Sequence, residues 1–312
     1  MNWDERIAAP VSDSSVLARV EELFTAQLSE WPQLATGVDN LRRARSRKLA
    51  IRWFQVCVRH IPHRIGSTTA KVDPDSIRDR PCFLCAENLP AEQRGIEFEN
   101  DFVVLANPFP ILDRHLTVVS KSHVPQRIVG EFPSMLSLAR SLPGYMIVYN
   151  GPECGASAPD HLHFQACRHA GVPVVADLEH RRGVEIPDYA RRVLVLVGKD
   201  RSGLERRFSL LMGLLGKRSP ARPEPMVNVV VFHSDSIWHV MVFARRKHRP
   251  TVFLAGDLTL SPASIDLCGV PVLPVESDFE RVEAADIESV FEEVSLSRDS
   301  FDDIARTMQA TR

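Results

Sequence analysis

Residues 160–167, DHLHFQAC, alternate polar and apolar side chains, which is the pattern of a β-strand with one buried face. Side chains two positions apart project from the same face, so His161, His163 and Gln165 form one polar row. The residues between them face the other way and can anchor the strand in a core. Neighbours in such a row stand roughly 6–7 Å apart, which allows two imidazoles to take different roles in one site.

The sequence around this strand predicts an α+β protein built on an antiparallel sheet with flanking helices. Predicted strands lie at 101–110, 114–125, 144–152, 191–200 and 227–253, where the last range holds two strands or three. Predicted helices lie at 14–30, 39–59, 131–142, 203–217 and 286–311, the last with a break near 297–299.

Two segments echo each other, each with a strand followed by a basic cluster and a His-x-Pro sequence. They are HLTVVSKSHVPQ (115–126) and HVMVFARRKHRPT (239–251). The echo predicts two related units, the second degenerate because it has no HxH strand of its own. We therefore divide the chain into an N-terminal helical extension (1–60), a catalytic half (61–185) and a degenerate second half with C-terminal helices (186–312).

A nucleophilic role for His163 follows from imidazole chemistry and from the turn before the strand. Neutral imidazole, with a pKa of about 6.5, can attack a phosphorus atom and divide one displacement into two easier steps. Gln165 can hydrogen-bond a phosphate oxygen at any pH. The turn GPECGASAPD contains Gly151 and Gly155, which let backbone N–H groups approach an anion. The alternative is a solvent-facing strand that contains two histidines by chance.

Cys82 and Cys85, in PCFLCAENLP, have the two-residue gap that lets two thiolates share a tetrahedral zinc ion. One CxxC supplies half of a site, so the missing ligands would be histidines. His123 and His161 are the best candidates and His115 is the third. A redox pair and two buried thiols are the alternatives, although no βαβ context of the thioredoxin kind is visible.

Basic and hydroxyl residues mark further candidate phosphate contacts. HRIGSTTAK (63–71) lacks the ending of a P-loop, but Arg64 and Lys71 could clamp phosphates together with its hydroxyl groups. Lys121 and the run at 245–248 lie at predicted strand ends. A solvated loop or rim is the alternative for each.

The overall charge excludes some classes of partner. A formal net charge of −2 gives no basic field for nucleic acid or acidic membranes. The N-terminus has no apolar core of signal-peptide length, and no apolar run reaches the roughly 20 residues of a membrane span. We expect a cytoplasmic protein whose phosphate-binding surface is local.

Taken together, CxxC, His123, the glycine turn and HxHxQ resemble galactose-1-phosphate uridylyltransferase and its relatives in the GalT-like branch of the histidine-triad (HIT) superfamily. These relatives include the GDP-hexose phosphorylases and the diadenosine tetraphosphate phosphorylases. The resemblance covers roughly residues 60–170 and implies a HIT/GalT-like sheet.

By this resemblance, His163 is the residue that becomes nucleotidylated, and Gln165 holds the phosphoryl oxygens. The remaining implied residues fall into a zinc set (Cys82, Cys85, His123 and His161) and a set that contacts the nucleotide phosphates (Asn150, Gly155 and Ser157). Four protein ligands imply a structural zinc ion without an open position. A requirement for magnesium is possible.

The implied activity is ping-pong transfer of a nucleoside monophosphate through nucleotidyl-His163. A nucleoside diphosphate sugar is the leading donor, with phosphate as the acceptor. A hexose-1-phosphate nucleotidyltransferase, which would use a sugar-phosphate acceptor, and a dinucleoside polyphosphate phosphorylase are the alternatives. From other classes, the chain could be a zinc-stabilised nucleotide-binding protein without catalysis or a cysteine redox protein. A homodimer is possible.

Overall fold

The computed structural model describes residues 2–8 and 15–311, and its strands form one large sheet and one small sheet. The strands are β1 (Arg45–Ile51), β2 (Phe54–His60), β3 (Gly95–Phe98), β4 (Phe102–Ala106), β5 (Leu116–Ser120), β6 (Tyr145–Asn150), β7 (His163–Arg168), β8 (Leu194–Gly198), β9 (Val227–Ser234), β10 (Ile237–Ala244) and β11 (Val272–Leu273).

Helices cover both faces of the large sheet. They are α1 (Trp3–Arg6), α2 (Val16–Glu30), α3 (Pro32–Arg42), α4 (Ile65–Thr68), α5 (Pro74–Arg78), α6 (Phe132–Ser141), α7 (Pro173–Asp177), α8 (Arg201–Gly216), α9 (Thr251–Leu254), α10 (Ser264–Leu267), α11 (Glu276–Arg281), α12 (Ala284–Val294) and α13 (Arg298–Ala310).

The large sheet has the strand order β3-β4-β5-β7-β6-β9-β10-β8, and its neighbouring strands are antiparallel. Strands β6 and β9 pair across the middle, for example Val148 with Val230. The predicted antiparallel α+β sheet is thereby confirmed. The sheet runs without interruption across the predicted boundary between 61–185 and 186–312, and that division stays a prediction.

Each face of the large sheet has its own hydrophobic core. One face packs against apolar residues of α2, α6, α8 and α13, and it includes Leu162 and Phe164. The other face packs against the small sheet, α7 and the C-terminal helices α10–α12. The polar row of β7 therefore projects from a strand that is anchored through its opposite face.

The predicted helix at 39–59 is wrong. Helix α3 ends at Arg42, and β1 and β2 form an antiparallel hairpin that continues through a parallel pairing of β2 with β11. Phe54, Val56 and Val58 are buried at every second position, which is the strand period rather than the helical one. The chain reverses at Arg52, whose φ is +54°, so no glycine marks this turn in the sequence.

Most of the other predicted elements lie within a few residues of their observed positions. The predicted strand region 227–253 extends too far, because β10 ends at Ala244 and α9 (Thr251–Leu254) follows it. Helix α2 begins at Val16, while residue 14, the predicted start, lies outside the described residues. The predicted break near 297–299 corresponds to residues 295–297, between α12 and α13. Within the described residues, no helix combines the length and the apolar character that crossing a membrane requires.

Candidate functional site

The polar row of β7 divides into two parts. Gln165 follows His163 by two residues on β7, so both side chains lie on one face of the strand. Leu162 and Phe164 are 3% and 0% exposed in the opposite core, as expected. His161 lies just before the strand, and its ring turns to the two cysteines. The row therefore serves two neighbouring sites.

His163 is held in a single tautomer. Its Nδ1–H donates to the carbonyl of His161 at 2.9 Å, which leaves Nε2 with a free lone pair in the neutral ring. The residue is 4% exposed, and burial lowers its pKa to about 4. The neutral imidazole therefore prevails at neutral pH, and a neutral ring is the form that a nucleophile requires.

Gln126 fixes the backbone around His163. Its Oε1 accepts from the backbone N–H of His163 at 2.8 Å, and its Nε2 donates to the carbonyls of Asn150 and His163 at 2.9 and 3.0 Å. The side chain is 1% exposed and joins the ends of β6 and β7. The sequence analysis did not identify it. Its position three residues after His123, in the segment that follows β5, was the available signal.

A hydrogen-bond chain orients Gln165. The backbone N–H of Ile111 donates to Nδ1 of His115 at 3.1 Å, and Nε2–H of His115 donates to Oε1 of Gln165 at 2.8 Å. Burial lowers the pKa of His115 to about 3, with a smaller effect from Arg64, so the ring stays neutral. Because the oxygen of Gln165 is occupied, its NH₂ group faces the cavity. His115 is thus a positioning residue, and its candidacy as a metal ligand was wrong.

Asn150 is oriented in the same way. Its Oδ1 accepts from Nδ2 of Asn228 at 2.8 Å and from the backbone N–H of Ser264 at 2.9 Å. Both lone pairs of the oxygen are occupied, so the NH₂ group is the donor that remains for a ligand. Asn228 is itself held by Arg245, whose Nη1 donates to its Oδ1 at 2.7 Å. No sequence motif indicated Asn228 or Ser264, which are distant from the recognisable motifs.

A cavity adjoins these oriented amides. Its lining combines hydroxyl, amide and basic groups from both halves of the chain: Arg64, Ser67, Thr68, Ala70, Val72, Ile111, Asn150, Gly155, Ala156, Ser157, Gln165, His248, Arg249, Ser261, Ala263, Ile265, Asp266 and Val272. Several residues that were predicted to contact phosphate therefore line one cavity, namely Arg64, Asn150, Gly155, Ser157 and Gln165.

His163 and two residues predicted to contact phosphate are not among the residues that line this cavity. Gln126 links His163 to Asn150, because its Nε2 donates to the carbonyls of both. Lys71 is exposed, and Lys121 forms an ion pair with Glu97.

Position 155 requires a glycine for two reasons. Its φ of +94° lies in the left-handed region, which L-residues rarely adopt. A Cβ atom at this position would also stand 2.6 Å from Cβ of Ala263. The glycine turn therefore lets the segment before β7 pack against the loop before α10, and this contact closes one end of the cavity.

Four potential metal ligands lie close together beside the polar row. One ligand atom from each of Cys82, Cys85, His123 and His161 lies within 4.8 Å of the others. Sγ of Cys82 is 3.2 Å from Nδ1 of His161, and Sγ of Cys85 is 3.2 Å from Nδ1 of His123. A tetrahedral zinc ion separates its sulfur and nitrogen ligands by about 3.5 Å. The cluster could therefore hold a metal ion.

The outer nitrogens of both histidines also have partners. Nε2–H of His161 donates to the carbonyl of Ser120 at 2.8 Å, so its Nδ1 presents a lone pair to the cluster. Nε2 of His123 is 3.6 Å from Oδ2 of Asp160, which forms an ion pair with Arg80 at 2.9 Å. Such outer contacts are typical of histidines that ligate metals.

Comparison with known proteins places this site in a known fold. A domain family of unknown function, DUF4922, matches residues 23–168. Among curated proteins, none matches the chain in sequence.

Solved structures of yeast Ap4A phosphorylase Apa2 resemble the whole chain. The structure without a named ligand has a TM-score of 0.62 at 16% identity, covering 91% of this chain and 98% of that one. The complex with AMP has a TM-score of 0.60 at 18% identity, covering 90% and 96%. The complex with Ap4A has a TM-score of 0.60 at 17% identity, covering 91% and 98%. The chain therefore shares the fold of yeast Ap4A phosphorylase Apa2, and the antiparallel sheet with flanking helices that the sequence resemblance implied is confirmed.

Proposed function

We propose that this protein is a nucleotidyltransferase that acts as a phosphorylase through a covalent nucleotidyl-His163 intermediate. The observation that carries the proposal is the fixed tautomer of His163, whose free Nε2 lies on the same strand face as Gln165. Gln165 and Asn150 present oriented NH₂ groups at the adjoining cavity. Oriented donors of this kind stabilise the phosphoryl oxygens on which negative charge develops.

The first half-reaction forms one bond and breaks one. Nε2 of His163 attacks the α-phosphorus of the donor, and the leaving phosphate group departs with the electron pair of the broken P–O bond. The ring keeps its Nδ1 proton, and the carbonyl of His161 stabilises the positive charge of the nucleotidylated imidazole. Movement of the side chain or of the cavity wall by a small distance is needed, because the residue is 4% exposed.

The second half-reaction reverses these changes. An oxygen of the acceptor phosphate attacks the phosphorus, the P–N bond breaks, and its electron pair returns to Nε2. His163 is then neutral again, with its Nδ1 proton unchanged. The enzyme therefore requires no net proton transfer to or from this ring.

We propose a nucleoside diphosphate sugar as the leading donor and inorganic phosphate as the acceptor. HLHFQ is most similar to the phosphorylase relatives, which supports phosphate as the acceptor, while the CxxC motif is similar to the uridylyltransferases. A dinucleoside polyphosphate is the second candidate donor. The likeness of the fold to yeast Ap4A phosphorylase over nine-tenths of the chain favours it.

The metal in this proposal is a structural zinc ion. Two thiolates and two imidazoles complete a tetrahedral set without an open position, so zinc would supply rigidity rather than a reactive water. His161 would be held through Nδ1, and its carbonyl would then be fixed where Nδ1–H of His163 donates. The metal would in this way determine the orientation of the nucleophile.

The test is the covalent intermediate. The protein is incubated with nucleoside diphosphate sugars, nucleoside triphosphates or dinucleoside polyphosphates, and its intact mass is measured at neutral pH and after mild acid. We expect an acid-labile adduct of one nucleotide, absent in His163→Ala and retained in His233→Ala, which removes a half-buried histidine from β9. The mass of the adduct would identify the base. Nucleotide binding without an adduct from any donor would instead support a zinc-stabilised binding protein.

A further inference from the structure

Part of the cavity wall that comes from the second half is a short segment after β10. This segment, residues 245–249, contributes His248 and Arg249 to the lining. Arg64, Ser67 and Thr68 lie in the same cavity and come from the chain around α4. The solvated rim that was the alternative for residues 245–248 describes Arg246, which is exposed, while His248 lines the cavity.

Arg245 holds residues 245–249 in place through hydrogen bonds within the chain. Its Nη2 donates to the carbonyls of Lys247 and His248 at 3.0 and 2.9 Å, and its Nη1 donates to Asn228 and to the carbonyl of Pro262 at 2.7 and 2.9 Å. The side chain is 4% exposed. Because Asn228 also holds Asn150, one buried network fixes the segment relative to the oriented amides beside His163.

Arg249 is anchored by neutral groups. Its Nη2 donates to the carbonyls of Thr68 and Ala70 at 3.2 and 2.8 Å, and its guanidinium lies over the ring of Phe253 at 4.6 Å. Its Nε is buried and without a hydrogen-bond partner. No carboxylate in the described part of the chain forms an ion pair with it. Its positive charge is therefore held at the cavity without an internal counter-ion.

Arg64 lies at the same cavity, where the carboxylate of Asp266 interacts with it electrostatically. Its Nη1 donates to the carbonyl of Phe109 at 3.1 Å. Burial lowers its pKa to about 10, so it remains a cation at neutral pH. Of the described residues that line the cavity, Asp266 carries the one carboxylate. Both oxygens of Asp266 accept backbone N–H groups, from Ala263 at 2.8 Å and from Val272 at 2.9 Å.

Asp266 is the one carboxylate in the described lining, against the two guanidinium groups of Arg64 and Arg249, so the cavity can accept a further anion from a ligand. Guanidinium groups recognise phosphate oxygens through charge-assisted hydrogen bonds. His248 adds a neutral ring, because burial lowers its pKa to about 4, and a neutral ring can donate one hydrogen bond without repelling the two cations.

We infer that Arg249, Arg64 and His248 bind the phosphate group of the acceptor in the second half-reaction. The inference rests on the proposed function, because an acceptor exists only if His163 is nucleotidylated. In an in-line displacement, the leaving group departs from the side on which the acceptor later enters. The same residues therefore hold the leaving phosphate group of the donor in the first half-reaction.

The experiment measures the breakdown of the isolated intermediate. Nucleotidylated protein is freed of donor by gel filtration, and loss of the adduct is followed by intact mass across a series of inorganic phosphate concentrations. For Arg249→Gln, we expect the half-saturating phosphate concentration to rise by at least about 10-fold, the effect of losing one charge-assisted hydrogen bond. Slow hydrolysis by water, measured without phosphate, is expected to stay within about 2-fold because water does not need the cations.

Arg246→Gln is the matched control, since Arg246 is the exposed neighbour whose Nε donates to the carbonyl of Glu293 at 2.9 Å. Arg64→Gln provides an independent second variant from the other wall of the cavity, with the same expected direction. Parallel series with glucose 1-phosphate distinguish a phosphate ester from inorganic phosphate as the acceptor.

The outcomes separate the two proposals. An adduct that never forms in the wild-type protein refutes the proposed function itself. The adduct could instead form, with half-saturating concentrations of both acceptors that are the same in Arg249→Gln, Arg64→Gln and Arg246→Gln. This result would refute the acceptor site and leave the covalent mechanism intact.

Discussion

Replacing His115 by Phe tests whether the orientation of Gln165 contributes to catalysis. The change keeps a ring of similar shape but removes the acceptor for the N–H of Ile111 and the donor to Gln165, which lie at 3.1 and 2.8 Å. His115 is 0% exposed, so the N–H of Ile111 would remain buried and unpaired. We expect the free energy of unfolding to fall by about 1–3 kcal/mol.

The expected effect on the rate follows from the freed amide of Gln165. A single hydrogen bond has a net value of about 0.5–1.5 kcal/mol, and losing it would let the amide oxygen rather than the NH₂ group face the phosphoryl oxygens. We expect His115→Phe to slow adduct formation about 3- to 10-fold. Rapid-quench sampling followed by intact mass would measure this rate.

A double-mutant cycle separates positioning from a general loss of stability. In a Gln165→Ala background there is no amide to orient, so His115→Phe should change the rate by less than about 2-fold. Tyr145→Phe is the matched control for stability, because its buried hydroxyl donates to Glu21 at 2.8 Å on the opposite face of the sheet. An equal slowing by His115→Phe in both backgrounds, or no slowing in either, would refute the positioning role.

Three further predictions concern the metal cluster, the glycine turn and the response to pH. Elemental analysis is expected to find about one zinc ion per chain, and Cys85→Ser should lose it because the change removes one of four ligands. Unchanged zinc content would contradict the cluster as the metal site. Gly155→Ala should lower the free energy of unfolding in urea by about 1–2 kcal/mol more than Gly130→Ala. Both glycines have a φ of +94°, but a Cβ at Gly130 meets nothing within 4 Å. Equal losses would show that the contact with Ala263 does not contribute to the free energy of unfolding. The pKa of His115 is about 3 in the fold against an ordinary value of 6.5, so its contribution to the free energy of unfolding is present above pH 6.5 and is lost as the pH falls toward 3. In that window, the stability advantage of the wild type over His115→Phe should fall by about 1.4 kcal/mol per pH unit. A constant difference would contradict the buried neutral ring.

The helix predicted at 39–59 is wrong because the local pattern of apolar and charged residues does not determine the structure of this segment. Arg and Lys side chains surround its apolar residues, and such a mixture fits a helix face as well as a half-exposed strand. The hairpin prevails because Phe54, Val56 and Val58 bury one face of β2 in the core that also contains the C-terminal helices. These partners lie more than 200 residues away, as the pairing of β2 with Val272–Leu273 shows. Tertiary packing therefore overrides the local preference.

The two echoed segments show that the same limit of sequence-based prediction applies to the candidate site. Each overlaps a strand of the large sheet, β5 or β10, and each contains a histidine after that strand. His123 lies in the metal cluster, and His248 lines the cavity. The repeat was visible in the sequence, but the destination of each histidine was not. It depends on which strands flank the segment, and the pairing of β6 with β9 is what brings the second segment to the first half.

The strand that carries His163, its polar row and the CxxC pair could all be predicted from the sequence. Those features depend on the period of a single strand or on neighbouring residues, and backbone geometry fixes both locally. The tertiary structure alone decided that His123 rather than His115 joins the cysteines, because the two lie beyond opposite ends of β5. It also decided that His115 orients Gln165 and that Arg249 faces the cavity. Such contacts join residues far apart in the chain, and their distances follow from strand register and packing, which no local pattern encodes.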